Sequence, residues 1–122
     1  MITTAQLIVL VEHKPAMSQM LEQILQVSGY DTRCFPSAEA LLAEPEATEA
    51  DCFVVEAELP GMSGVELRKQ LSALGKQSPV IFMTDDPVPD SFERDFSARF
   101  LHKPFRGYRL VHAIRKLLCV EE

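Results

Sequence analysis

A chain of 122 residues, 47% hydrophobic and 25% charged, has the balance of a single globular domain folding around its own apolar core, not that of a disordered tail. A net charge of −6 and a pI near 5.0, without any cluster of Lys and Arg, exclude a face built to neutralise phosphates, so no direct nucleic-acid partner is expected. Three cysteines (Cys34, Cys52 and Cys119), odd in number and lacking a CxxC spacing, sit in apolar runs like small core residues and point to a reducing cytoplasm.

The N-terminus has no basic region, and its apolar run Leu7 to Val11 is too short for a signal peptide or a membrane span. The segment Gln6 to Glu12, "QLIVLVE", is β-branched and almost wholly apolar, which predicts a strand buried on both faces of a parallel sheet. From Pro15, a favourable first helical residue, Met17, Met20, Leu21, Ile24 and Leu25 recur at helical spacing until Gly29. They predict an amphipathic helix, with both methionines filling the core. "YDTRCF", Tyr30 to Phe35, reads as a short strand, and Ser37 can N-cap a helix running to about Ala43.

A polar connection, "EPEATEA", leads to a third strand, "CFVVE". After a Pro60-Gly61 turn, Ser63 and Glu66 have the spacing of a capping box, and Val65, Leu67, Leu71 and Leu74 form an apolar stripe up to Gly75. "PVIFMT", Pro79 to Thr84, predicts a fourth strand, and the acidic loop behind it is broken by Pro87 and Pro89. Helical signal there is weak, roughly Ser91 to Phe96, before the strand-like "ARFLHKP". The final helix is predicted over Arg106 to Val120, with Leu110, Val111, Ile114, Leu117 and Leu118 on one stripe.

Strand and helix thus alternate five times without an internal repeat or linker, giving one domain over residues 1–122. Such alternation requires right-handed crossovers, a parallel sheet, and helices on both of its faces. Ligands of these sheets lie at the carboxyl ends of the strands. Those ends carry Glu12 and His13, Glu56, Thr84 and Lys103. Carboxylates bind a hard cation, a lysine neutralises phosphate oxygens and a hydroxyl donates to them, so the set suits a phosphoryl group beside a cation. Any one of these residues alone would be an ordinary polar strand end; the joint pattern carries the reading.

In "IVLVEHKPAM", "CFVVEAELPGMSGVEL", "PVIFMT" and "FLHKPF" the chain resembles the receiver domain of bacterial two-component response regulators over essentially its whole length. The resemblance implies a flavodoxin-like (βα)5 fold with strand order 2-1-3-4-5. It also implies transfer of a phosphoryl group from a partner histidine kinase to an aspartate, with magnesium beside it. Thr84 matches the family's switch hydroxyl, Lys103 its lysine, and Phe100 the place of the switch aromatic.

The acidic half departs from the pattern. Glu56 stands where the phosphoacceptor aspartate belongs, and Glu12 and His13 replace two adjacent acids. Glutamate is one methylene longer, and in-line transfer loses on the order of a hundredfold when the nucleophile moves by about 1 Å. Imidazole is a poor ligand for magnesium, which demands an oxygen octahedron. A receiver that takes no phosphate is therefore expected, with no catalytic activity, no cofactor and a degraded magnesium site. Glu56 would reach toward Lys103 and Thr84, forming an ion pair with the first, accepting from the second, and imitating the phosphorylated state with Phe100 turned inward.

His13 with Glu12 and Glu56 has the composition of a zinc site, but adjacent strand-end residues tend to diverge and no tight His/Cys spacing occurs, so no metal ligand is assigned. His102 and His112 read as surface histidines, and the charges of "VELRKQL" and "RGYRLVHAIRKLL" as solvated helix faces. The 18 residues between Thr84 and Lys103 are a few fewer than the resemblance implies, so a shortened or remodelled fourth helix is expected. Phe92, Phe96, Phe105 and Tyr108 would lie near the partner face that the resemblance implies. The expected role is protein–protein association with a histidine kinase, an effector protein or, as a homodimer, a second copy; no membrane is involved. The alternatives are a divergent regulator still phosphorylated by its kinase, the N-terminal receiver of a longer transcriptional regulator, and a small enzyme using Glu12, Glu56 and Lys103. No nucleophile or cofactor loop supports the last.

Overall fold

In the computed structural model of the chain, the described residues are 5–87 and 98–119. Their elements are β1 (Leu7–Val11), α1 (Pro15–Val27), β2 (Asp31–Phe35), α2 (Ala38–Leu42), a 3-10 turn (Pro45–Glu49), β3 (Cys52–Glu56), α3 (Gly64–Ala73), β4 (Val80–Thr84), β5 (Ala98–His102) and α4 (Gly107–Leu118). The five strands are all parallel in the order β2-β1-β3-β4-β5, the flavodoxin-like doubly wound sheet. The helix expected over Ser91–Phe96, with Phe92 and Phe96, lies outside the described residues.

Side-chain alternation sorts the central strands onto two cores. Val9, Val11, Phe53, Val55 and Phe82 meet Ala38, Leu41, Leu67 and Leu71 of α2 and α3. Ile8, Leu10, Val54, Ile81 and Met83 meet Leu21 and Leu25 of α1 and Leu110 and Ile114 of α4. Both faces of β3 and β4 are covered, so each is buried along its entire length.

Helix starts follow from local chemistry. Ser37 Oγ accepts from the Ala40 amide at 3.0 Å and Ser63 Oγ from the Glu66 amide at 3.1 Å, each satisfying a donor left free in the first turn. Gly64 is needed for packing: a Cβ there would fall 2.6 Å from the Glu56 carbonyl oxygen, so only glycine lets α3 begin against the end of β3. Gly61, at φ 78°, turns the preceding loop, and the Glu39 carboxylate accepts from the next amide, Met62, at 3.0 Å.

Three expectations change. Met20 is 47% exposed, because the buried stripe of α1 centres on Leu21 and Leu25 and Met20 lies a step around the helix; Met17 does pack on the core. Leu74 is exposed as the C-cap residue of α3. Of the cysteines only Cys52 is buried; Cys34 lies on edge strand β2 and Cys119 is exposed beyond α4. No helix among the described residues is long and apolar enough to cross a membrane.

Candidate functional site

Among the described residues the buried polar side chains are Glu12, Thr48, Glu56, Thr84 and Lys103. All but Thr48 lie at the carboxyl ends of the strands, so the sheet concentrates its buried polarity in one pocket. The backbone fixes them there. The Glu12 amide donates to the Phe35 carbonyl at 3.1 Å, Glu56 is the last residue of β3 beside Met83, and the Lys103 amide donates to the Thr84 carbonyl at 2.7 Å.

Glu56 is the hub. Its Oε1 accepts from the His13 amide at 3.3 Å and from His13 Nδ1 at 2.5 Å, while its Oε2 stands 3.5 Å from Lys103 Nζ. A carboxylate can only accept, so Nδ1 carries the shared hydrogen. Glu12 has a similar division: Oε2 lies 3.7 Å from His13 Nδ1 and accepts from the Lys14 amide, whereas Oε1 faces Lys103 Nζ at 3.6 Å. That last separation exceeds a hydrogen bond, and Glu12 Oε1 is buried without a hydrogen-bond partner among the described residues.

Two buried carboxyl groups sharing one ammonium cannot ionise alike. Burial first, then the hydrogen bond and the like charge of Glu56, raise the pKa of Glu12 against the opposing pull of Lys103 and the Lys14 amide. For Glu56 burial is also the largest influence and acts upward. The His13 hydrogen bond, with those of Glu12 and the His13 amide and the charge of Lys103, outweighs it and lowers the value. Glu56 is therefore the ionised partner and Glu12 the one that more readily holds a proton.

Glu12 and His13 do not diverge as adjacent strand residues should. β1 ends at Val11 and the chain bends at His13, so the alternation of an extended strand has lapsed. One donor atom from each of Glu12, His13 and Glu56 lies within 4.8 Å of the others.

Thr84 follows a different course from the one expected. Its hydroxyl donates to Glu58 Oε2 at 2.5 Å, not to Glu56, and accepts from the Asp86 amide at 3.0 Å. Glu58 belongs to the loop after β3, next to β4 in the sheet, which brings its longer side chain over Thr84. Glu58 follows Glu56 by two residues, and no spacing in the sequence assigns it a partner. Phe100 is half-buried and turned inward, packed against the core with its ring 5.1 Å from that of Phe82. His102 and His112 are exposed, as are Arg106, Tyr108, Arg109, Arg115 and Lys116, while Phe105 packs partly on the core.

Comparison with known proteins gives a consistent family. The family model for the response regulator receiver domain matches residues 8–115. The chain is 30% identical over 117 residues to the response regulator protein TodT of Pseudomonas putida, covering 93% of this chain and 52% of TodT. It is 32% identical over 111 residues to the transcriptional regulatory protein FixJ of Azorhizobium caulinodans, covering 88% of this chain and 53% of FixJ. The chain thus spans about half the length of the curated relatives it matches. In fold it is similar to the chemotaxis protein CheY4 of Vibrio cholerae, with a TM-score of 0.84 at 20% identity, covering 94% of this chain and 100% of that one.

Proposed function

The chain belongs to the response regulator receiver domain family, and from that premise we propose that it is a receiver that works without phosphorylation, through association with another protein. Glu56 stands at the position of the phosphoacceptor. The single observation that carries the reading is that both of its oxygens are engaged, Oε1 by His13 and Oε2 by Lys103, inside a pocket where its side chain is only 4% exposed. A nucleophile so held has no free oxygen to present to a phosphodonor, and its extra methylene displaces it from the in-line position.

Magnesium, which the family implies, is a poor match for this donor set. The ion asks for six hard oxygens at about 2.0 to 2.1 Å. Here one of three donors is an imidazole, and the Lys103 ammonium already lies 3.5 and 3.6 Å from the two carboxylates. Lys103 neutralises Glu56 as it would a phosphate, and Phe100 is inward, but the Thr84 hydroxyl is engaged by Glu58. Glu56 accordingly reproduces the charge of an occupied pocket without the hydroxyl contact. The partner is a histidine kinase, an effector protein or a second copy of the chain. A further reading, favoured by the half-length match to FixJ, described as a transcriptional regulatory protein, is that this domain serves as the N-terminal receiver of a longer regulator.

The test is to incubate the protein with acetyl phosphate and magnesium and weigh it intact. No phosphate mass should appear. A stoichiometric gain that vanishes in Glu56→Gln would overturn the reading in favour of a divergent, working phosphoacceptor.

A further inference from the structure

We infer that the groove between α1 and α4 is a docking site for an acidic amphipathic helix of another protein. The inference rests on the association reading above and gives it a surface. The groove holds about 480 Å³ and is lined by Ile24 and Val27 of α1 and by Tyr108, Val111 and Arg115 of α4, among others. Among the described residues the large apolar side chains left exposed are Met20, Val27, Leu74 and Tyr108, and two of these line this one groove. Val27 is 89% exposed. Gly107 lets the two helices approach, because a Cβ there would fall 2.8 Å from Ile24 Cδ1. Tyr108, Val111 and Arg115 recur at i, i+3 and i+7, and Ile24 and Val27 at i and i+3, so both walls are helical ridges between which a third helix packs. The walls use their backbone hydrogen bonds internally, so an occupant must arrive with its own backbone paired, as a helix does and an extended peptide does not.

Charge selects the kind of helix. Residues 98–119 hold six of the twelve Lys and Arg of the chain and none of its eighteen Asp and Glu. Spread out in the sequence, these cations are gathered by the fold along α4. Lys103 faces the acidic pocket, whereas Arg106, Arg109, Arg115 and Lys116 are exposed and form no ion pair among the described residues. No carboxylate lines the groove, and the one acid of α1, Glu22, instead accepts from Thr32 Oγ1 of β2 at 3.1 Å. On a chain of net charge −6, α4 is thus a positive ridge, open to a negative partner and unfavourable for a second copy laid α4 against α4. A concave apolar floor with a Tyr and an Arg in its lining is the composition of a protein–protein anchor site. A flat anionic membrane would meet the ridge and leave that floor unfilled.

The experiment is an NMR titration of the nitrogen-15-labelled chain with two synthetic helices of about 18 residues, each with Leu along one stripe, one bearing Glu and the other Lys on its opposite face. The Glu peptide should bind at least about tenfold more tightly than the Lys peptide. It should shift the amides of residues 23–28 and 107–115 and leave those of α2 and α3 in place. Val27→Asp, at a position exposed enough to keep the fold, should weaken the Glu peptide by about tenfold or more. Arg115→Glu should narrow the difference between the two peptides. Equal binding of both peptides, shifts centred elsewhere, or undiminished binding by Val27→Asp would overturn the site. So would a dimer in sedimentation of the chain alone that Val27→Asp dissolves, which assigns the groove to a second copy. Co-sedimentation with phosphatidylserine vesicles that Val27→Asp abolishes assigns it to a membrane and overturns it equally. The two readings fail separately: a gain of phosphate mass from acetyl phosphate overturns phosphate independence and leaves the peptide result standing, while equal peptide binding does the reverse.

Discussion

Lys103 divides the pocket into two regions that the same sheet positions but that are built differently. On one side Glu12, His13 and Glu56 are joined to one another and to Lys103, with both carboxylates buried. On the other, Thr84 and Phe100 make contacts that bypass the acids: a hydroxyl to exposed Glu58 and a ring to Phe82. The acidic side is a set of charges withdrawn from water, where the loss of one partner strands the rest. The hydroxyl side can exchange its acceptor for water at small cost. Stability should therefore depend steeply on the first region and weakly on the second.

The largest effect tests the acidic side. Lys103→Met leaves Glu56 buried without its cation, and should cost about 3 to 5 kcal/mol in urea unfolding. Glu56→Gln should also destabilise, by removing the anion that His13 and Lys103 share. The double variant should recover much of the sum, since contacting residues couple. Strict additivity would mean that the 3.5 Å contact contributes nothing and that the two regions do not differ as described.

Next in size is the gain of an ion. Converting His13→Asp and Glu56→Asp together gives the pocket three carboxylates and shortens the one that now reaches Lys103. Magnesium affinity should rise by about a hundredfold, ~2.7 kcal/mol, in calorimetry. A folded double variant that shows no magnesium heat would place the divergence beyond these two positions.

Acidity separates the two carboxyls themselves. The folded-state pKa of Glu12 is raised above its ordinary 4.5, so its contribution is complete below 4.5 and is lost as pH rises through the folded value. That of Glu56 is lowered, so its contribution is present above 4.5 and is lost as pH falls through the folded value. Of these two carboxyls only Glu12 then contributes a slope above pH 4.5, at most ~1.4 kcal/mol per pH unit. In chelator-treated protein Glu12→Gln should flatten it, as read from urea midpoints between pH 4.5 and 8. An unchanged slope in Glu12→Gln would assign the titration elsewhere.

The sheet was legible in the sequence because burial on two faces writes itself as continuous apolar runs. "LIVLV", "CFVVE" and "VIFMT" are β1, β3 and β4 to within a residue of the predicted limits. Ser37 and Ser63 announced their helices because the N-cap is a local interaction. The strand-end rule likewise brought Glu12, Glu56, Thr84 and Lys103 together, since it depends on topology alone. What could not be read were side-chain directions after the strands end. The bend at His13 turned the imidazole back onto the acids, and Glu58 took the Thr84 hydroxyl; neither follows from periodicity once the strand has stopped.

The smallest effect belongs to the Thr84–Glu58 contact, and it tests the hydroxyl side most directly. Thr84 is buried, yet its acceptor is on an exposed residue, so removing Glu58 by Glu58→Ala lets water or another acid take the hydrogen. A net hydrogen bond to a charged acceptor is worth about 1.5 to 3 kcal/mol when protected, but solvent screening at Glu58 should bring the Thr84→Val/Glu58→Ala coupling below about 1 kcal/mol. The structural consequence is sharper than the energetic one. Freed from Glu58, the hydroxyl can turn to Glu56, one of the two acids buried in the pocket, and a crystal structure of Glu58→Ala should show Thr84 Oγ1 turned toward it. Phe100 would keep its place on Phe82, because its packing does not run through the hydroxyl. If instead the coupling exceeds 2 kcal/mol, or Phe100 moves when Glu58 is removed, then Glu58 holds the hydroxyl side as firmly as Lys103 holds the acids.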